Sequence, residues 1–176
     1  MSKDYFDLFG MPVSYDVDDD RLRQRYRELQ HTIHPDKYAA SSDQERRMSL
    51  QLTAHVNEAF QTLKRPSSRA RYLLELHGIN PAAKDVTLDP AFLGEQMELR
   101  ERLSAIADSQ APQDELLAMR KELENLAGDR QNRIGRQFCS GTSEAYKKAA
   151  VLYLEMQFID KLLHEIDDLE LEMAPQ

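Results

Sequence analysis

Of the 176 residues only Cys139 is a cysteine, so one chain can form neither an internal disulfide nor a thiolate cluster around a metal. An ordinary half-buried thiol is the expectation for it. No stretch approaches the roughly 18 uninterrupted apolar residues needed to cross a bilayer, and the Met1-Ser2-Lys3-Asp4 start has no secretory apolar segment. A cytoplasmic protein without a membrane partner is expected. Internal repeats and low-complexity tracts are also missing. With neither a Gly-rich phosphate loop nor a Gly-x-Ser-x-Gly turn, nothing signals an enzyme.

What is present suits a folded protein: 41% hydrophobic and 31% charged residues favour charged helix faces around a core over disorder. The length suffices for two small domains. A net charge of −8 argues against broad nucleic-acid binding, and its distribution is more informative than its total. Residues 1–77 hold twelve Lys/Arg and twelve Asp/Glu, whereas residues 78–176 hold eleven and nineteen. All the net negative charge therefore lies in the second half. In the neutral half, Arg21, Arg23, Arg25, Arg27 and Lys37 crowd one segment, opposed only by Glu28 and Asp36.

Nearly every periodic segment reads as helix, and the predicted class is all-α. A short helix over about Asp4 to Phe9 stops at Gly10. A second follows the acidic run Asp16 to Asp20, which supplies an N-cap and favourable charge at the positive end of the helix dipole. Leu22, Tyr26, Leu29 and Ile33 then recur at helical spacing until Pro35. After a polar stretch around Ala39 to Asp43, a third helix shows an inner stripe of Met48, Leu52, Val56, Ala59, Phe60 and Leu63. A fourth runs from about Ser68 to Leu76. The segment from Ile79 to Pro90 contains two prolines and no periodicity, which predicts a linker over residues 78–89. Three more helices, at roughly 90–107, 113–138 and 142–172, predict a second, antiparallel bundle.

His34-Pro35-Asp36 lies between two amphipathic helices. With Leu22, Tyr26, Leu29 and Ile33 turned inward, Arg23, Arg27 and His31 form one exposed stripe. Proline fixes a turn, and the His and Asp side chains can bond the loop or face a partner. Metal binding by His31, His34 and Asp36 falls short of the four ligands of a structural site. A catalytic His–Asp pair would also need a nucleophile and a concave pocket, and neither a Gly-rich phosphate loop nor a Gly-x-Ser-x-Gly turn signals one. A solvated basic face and a plain connector remain the bland alternative.

Here the chain resembles the J-domain family: a short helix, a basic second helix, His-Pro-Asp, a long third helix and a small fourth. In that family the tripeptide and the adjoining basic face engage a DnaK-type chaperone near the junction of its ATPase domain and linker. The resemblance assigns His34, Pro35, Asp36, Arg23, Arg27 and Lys37 to chaperone binding.

The helix starting near Pro90 carries two stripes. Phe92, Leu99, Leu103 and Ile106 should face a core. Leu93, Met97 and Glu101 lie a quarter to a half turn away, among Gly94, Glu98 and Ala105; they form a partner surface or merely widen the core stripe. Phe158 sits on an apolar helix with Leu152, Met156, Ile159, Leu162, Leu163 and Ile166, where a core role is the default. Glu165, Asp167, Asp168, Glu170 and Glu172 read as a solvated acidic end.

Three blocks, Tyr72-Leu73-Leu74-Glu75-Leu76-His77-Gly78, the run from Phe92 to Glu101, and Phe158-Ile159-Asp160-Lys161-Leu162, look like the HscB family of J-proteins, dedicated to iron–sulfur cluster biogenesis. The resemblance covers nearly the whole chain. It implies a J-domain (1–77), the linker (78–89) and a C-terminal three-helix bundle (90–176) that holds the scaffold IscU and presents it to the chaperone HscA. Family scaffold-contact positions fall on Leu93, Met97, Glu98, Glu101 and Phe158. Gly94 stands where the family has an apolar residue and Ala105 where it has an acidic one, so a smaller or shifted interface is expected. The cysteine-rich metal-binding extension of some eukaryotic relatives is not in this sequence, so neither zinc nor any cofactor is expected. A general J-protein that binds unfolded chains is the alternative function, against which stand the missing Gly/Phe-rich linker and cysteine-rich substrate module.

Overall fold

The computed structural model describes residues 4–33, 42–82, 86–106 and 109–173. Its elements are α1 (Tyr5–Leu8), α2 (Asp19–Ile33), α3 (Asp43–Lys64), α4 (Pro66–Leu76), α5 (Pro90–Ile106), α6 (Pro112–Ser140) and α7 (Ser143–Met173), with no strand among the described residues. The all-α expectation holds. The chain divides into two compact units, Met1–Leu73 and Leu74–Gln176.

In the first unit α2 and α3 form an antiparallel hairpin. Tyr26 stacks on Phe60 at 4.0 Å and donates its hydroxyl to Asn57 Oδ1 at 2.9 Å, while Ile33, two turns further along α2, meets Ser49 on the earlier part of α3. Asp18 caps α2: its carboxylate accepts from the Arg21 N–H at 2.9 Å, as the acidic run predicts. Ser42 and Glu45 form a reciprocal capping box at the start of α3. Those bonds from Ser42 hold the Glu45 carboxyl below the usual carboxylate range. Pro66 begins α4 rather than merely ending α3, because the first helical position needs no N–H donor.

The core of this unit includes Phe6, Phe9, Leu22, Val56, Ala59, Leu63 and Leu73. Burying a Leu, Val or Phe side chain stabilises by about 1.5–3 kcal/mol relative to leaving it exposed. Two members of the expected α3 stripe are not in the core: Met48 is 62% and Leu52 41% exposed. The inward position is Ser49, whose buried hydroxyl donates to the Ile33 carbonyl at 2.7 Å. A carbonyl in the last turn of a helix lacks an intrahelical donor, and a buried hydroxyl meets that need where a methionine could not.

In the second unit α6 runs antiparallel to both α5 and α7. Arg102 pairs with Glu122 and Arg130 with Glu95 across the first pair, and Arg120 with Glu170 and Arg130 with Glu155 across the second. The core joins Leu99, Leu103 and Ile106 of α5 to Leu116, Met119, Leu123 and Ala127 of α6 and Ile159, Leu162 and Ile166 of α7. Gly141, with φ +68°, turns the chain between α6 and α7 in a left-handed conformation that L side chains rarely adopt. Cys139 is exposed rather than half-buried, since it falls in the last turn of α6 beyond the core stripe. Several carboxylates of the acidic end are paired: Arg120 binds Asp167 at 2.7 Å and Glu170 at 2.8 Å, and Arg100 binds Glu165 at 3.4 Å.

Candidate functional site

The sequence marks two surfaces, one on each unit. On α2, Arg23, Arg27 and His31 are exposed, as the helical wheel requires. Arg25 pairs with Glu28 at 3.0 Å, and hydrogen bonds to Gln24 and Arg25 hold the Glu28 carboxyl below its usual range. Arg23 makes a looser contact with Asp20 at 3.6 Å. Such exposed pairs add little stability, typically about 0–1 kcal/mol, so the face keeps its positive character at little structural cost. His34, Pro35, Asp36 and Lys37 lie outside the described residues. Their flanks are described: the Ile33 carbonyl is held by Ser49, and Ser42 starts α3 with its capping box.

On α5 the two stripes separate cleanly. Phe92, Leu99, Leu103 and Ile106 are buried, whereas Leu93 is 46% and Met97 75% exposed. Leu93 and Met97 therefore do not widen the core stripe. Glu98 and Glu101 are exposed beside them. Phe158 of α7 is half-buried against the bundle core; its ring meets Phe92 edge-on at 6.0 Å, and the Arg100 guanidinium lies 5.9 Å from its centroid. The fold thus sets Phe158 directly alongside α5, so that Leu93, Met97, Glu98, Glu101 and Phe158 occupy neighbouring elements. A shallow groove lined by Arg100, Leu103, Ser104, Glu165, Asp168 and Leu169 lies further along the same two helices. A Cβ added at Gly94 would meet nothing within 4 Å, so the surface there is open.

Among the described residues no group of three or more His, Cys, Asp or Glu is placed to hold a metal, and no helix is long and apolar enough to cross a membrane.

The DnaJ domain family matches residues 4–72, and the HSCB C-terminal oligomerisation domain family matches residues 88–167. A co-chaperone protein HscB homolog of Vibrio atlanticus is 40% identical over 94% of this chain and 96% of its own length. The chain belongs to the HscB co-chaperone family. A second HscB homolog, from Cupriavidus taiwanensis, is 40% identical over 96% of this chain and 94% of its own. Among solved structures, chaperone HscB from Vibrio cholerae superposes with a TM-score of 0.85 at 34% identity, covering 97% of this chain and 99% of that one. The human co-chaperone HscB gives 0.88 at 27% identity, covering 98% and 84%. HscB family membership with a J-domain implies a DnaK-type chaperone as partner and fits a role in iron–sulfur biogenesis.

Sequence reasoning missed the polar residues that brace these surfaces. Arg130 of α6 is only 12% exposed and donates from Nε to Glu155 of α7, itself 8% exposed, at 2.6 Å. Its position follows Leu123 and Ala127 on the core stripe, and Glu155 adjoins Met156 and Ile159 on theirs. Opposite charges interrupting two facing core stripes were the available signal. Arg69 is the second case: its side chain is buried and bonds the carbonyls of Leu63 at 2.7 Å and Tyr15 at 2.8 Å. Burial lowers its pKa and Asp19 acts in the opposite direction.

Proposed function

We propose that this protein is a non-enzymatic adaptor of the cytoplasm that stimulates the ATPase of an HscA-type chaperone and delivers an IscU-type iron–sulfur scaffold to it. The observation that carries the reading is the exposure of Leu93 and Met97 on α5, the helix that Phe158 meets through Phe92, in a chain whose HscB likeness extends over nearly its whole length. Large apolar side chains held out on an ordered helix favour an anchor for a protein client.

In this reading the two surfaces divide the work. His34, Pro35, Asp36 and Lys37, with Arg23 and Arg27, engage the chaperone, the arginines chiefly by steering encounter. Leu93, Met97 and Phe158 supply the apolar contact to the scaffold, and Glu98 and Glu101 form a charged rim. The chaperone performs the hydrolysis; the adaptor contributes coupling free energy between two binding events.

Single-turnover ATP hydrolysis by a purified HscA-type chaperone, with this protein, the scaffold, both and neither, tests the reading. The expected result is stimulation by the protein alone and a larger, more than additive rate with both. A rate with both that equals the sum of the separate effects would remove the delivery role.

A further inference from the structure

Between the buried Phe92 and the buried Leu99, no side chain of α5 is buried across residues 93–98; Glu95 and Gln96 are the two half-buried ones. Leu93 and Met97 lie in this stretch. The first turns of a helix fray unless something holds them, and the one buried apolar side chain here is Phe92. Two polar restraints supplement it. Asp89 accepts from the Ala91 N–H at 2.8 Å at the helix start. The other restraint comes from α6, where Arg130 spreads its guanidinium over three neighbours: Nε to Glu155 at 2.6 Å, Nη1 to Asp129 at 3.0 Å and Nη2 in a looser ion pair with Glu95 of α5 at 3.7 Å. Its central carbon also lies 6.0 Å from the centroid of the Phe92 ring, which in turn packs edge-on against Phe158.

One guanidinium therefore touches all three helices of the bundle at the level of the client face. The planar fork suits this better than an ammonium could, because its N–H groups donate to Glu155 and Asp129 while the same charge lies within ion-pair distance of Glu95 and the face remains available to a ring. The Glu155 pair is nearly out of water, which fixes where the guanidinium sits and so where it can hold Glu95.

We propose that Arg130 is a positioning residue for the client face: by bridging Glu155 and Glu95 and covering Phe92, it holds the first two turns of α5 in the binding geometry before the client arrives. The inference rests on the scaffold-binding reading above. Its consequence is preorganisation, which strengthens binding by reducing the ordering that association would otherwise require.

Arg130→Met alone leaves the Glu155 carboxylate buried without its partner, and the fold itself is then at risk. The informative variants are Arg130→Met/Glu155→Met, which replaces the pair by apolar side chains, and Glu95→Gln, which releases only the α5 arm. Amide hydrogen exchange is measured on the free protein, and calorimetric titration uses a purified bacterial IscU-type scaffold.

In the double variant the α5 amides of residues 93–97 are expected to exchange roughly tenfold faster than in the wild type, while the core amides of α6 and α7 keep their protection. Scaffold affinity should fall about fivefold with the contact residues intact, and Glu95→Gln should give a smaller loss of both. Unchanged α5 exchange in the double variant overturns the proposal. Faster exchange with unchanged affinity overturns it as well, because the clamp would then not serve binding; weaker binding without faster exchange would make Arg130 a direct contact instead. A wild-type protein that does not bind the scaffold defeats the client reading separately, and with it the role of Arg130 in binding, while the exchange data still decide whether the clamp exists.

Discussion

The exposed face of α2 is charged and compensates itself locally, Arg25 against Glu28 and Arg23 against Asp20, on a helix anchored by Leu22 and Ile33. The exposed face of α5 is apolar at Leu93 and Met97 and is braced from other helices, through Phe158 and Arg130. Long-range charge can act before contact and tolerates loose geometry; apolar contact acts only once water is displaced and requires fixed geometry. The two faces should therefore fail differently when damaged, one in rate and salt dependence, the other in affinity.

The largest effect should come from the tripeptide after α2. His34→Gln is expected to abolish ATPase stimulation while helicity and melting temperature stay close to wild type. Stimulation that survives intact would remove the chaperone-binding role from this tripeptide.

Next comes the apolar face. Truncating a well-buried interface anchor typically costs about 2 kcal/mol or more, so Leu93→Ala and Phe158→Ala should each weaken scaffold binding more than tenfold in calorimetric titration. Glu98→Ala and Glu101→Ala should be milder and more sensitive to salt. Wild-type affinity in the Leu93 variant would leave α5 without its proposed role.

Charge reversal at Arg23 and Arg27 should have a smaller effect of a different kind, slowing chaperone association most at low ionic strength, because screening sets in over about 8 Å at physiological salt. Stopped-flow association across a salt series would measure it. An equal loss of scaffold binding would point to disturbed folding and erase the contrast between the faces.

The smallest effect should be a gain. Gly94→Ala places a methyl in open space within a helix, so it should stabilise by about 0.5–1 kcal/mol in a denaturant titration. Scaffold affinity should hold or improve, and a loss would mean that the client approaches the backbone at this position.

Which parts of this were readable in advance depended on what decided each position. The α5 core stripe could be read residue by residue, since Phe92, Leu99, Leu103 and Ile106 are apolar, helical in spacing and all buried. Sequence left open whether Leu93 and Met97 belonged with them, because a helical wheel gives angles but not the width of the neighbouring surface. Met48 and Leu52 misled for a related reason. Periodicity favours whichever residues are apolar, but α3 meets α2 through Ser49, chosen by the Ile33 carbonyl that needs a donor. Arg130 and Glu155 lay on core stripes as charged residues, and a pattern of apolar positions passes over both. Pairings 25 residues apart become visible only when the helices are set side by side.

Arg69 has a further consequence for how the first unit opens. Its guanidinium donates to the carbonyl of Tyr15 in the loop before α2 and to the carbonyl of Leu63 at the end of α3, and it pairs with the carboxylate of Asp19 at the start of α2. A segment whose backbone is tied to a buried charge does not peel away freely, because leaving would deprive that charge of one of its acceptors. The loop before α2, which carries almost no regular structure of its own, should therefore resist proteases as long as the helices do. Cleavage there should begin at the denaturant concentration that unfolds α3, making the unit a single foldon rather than a hairpin with a detachable leader.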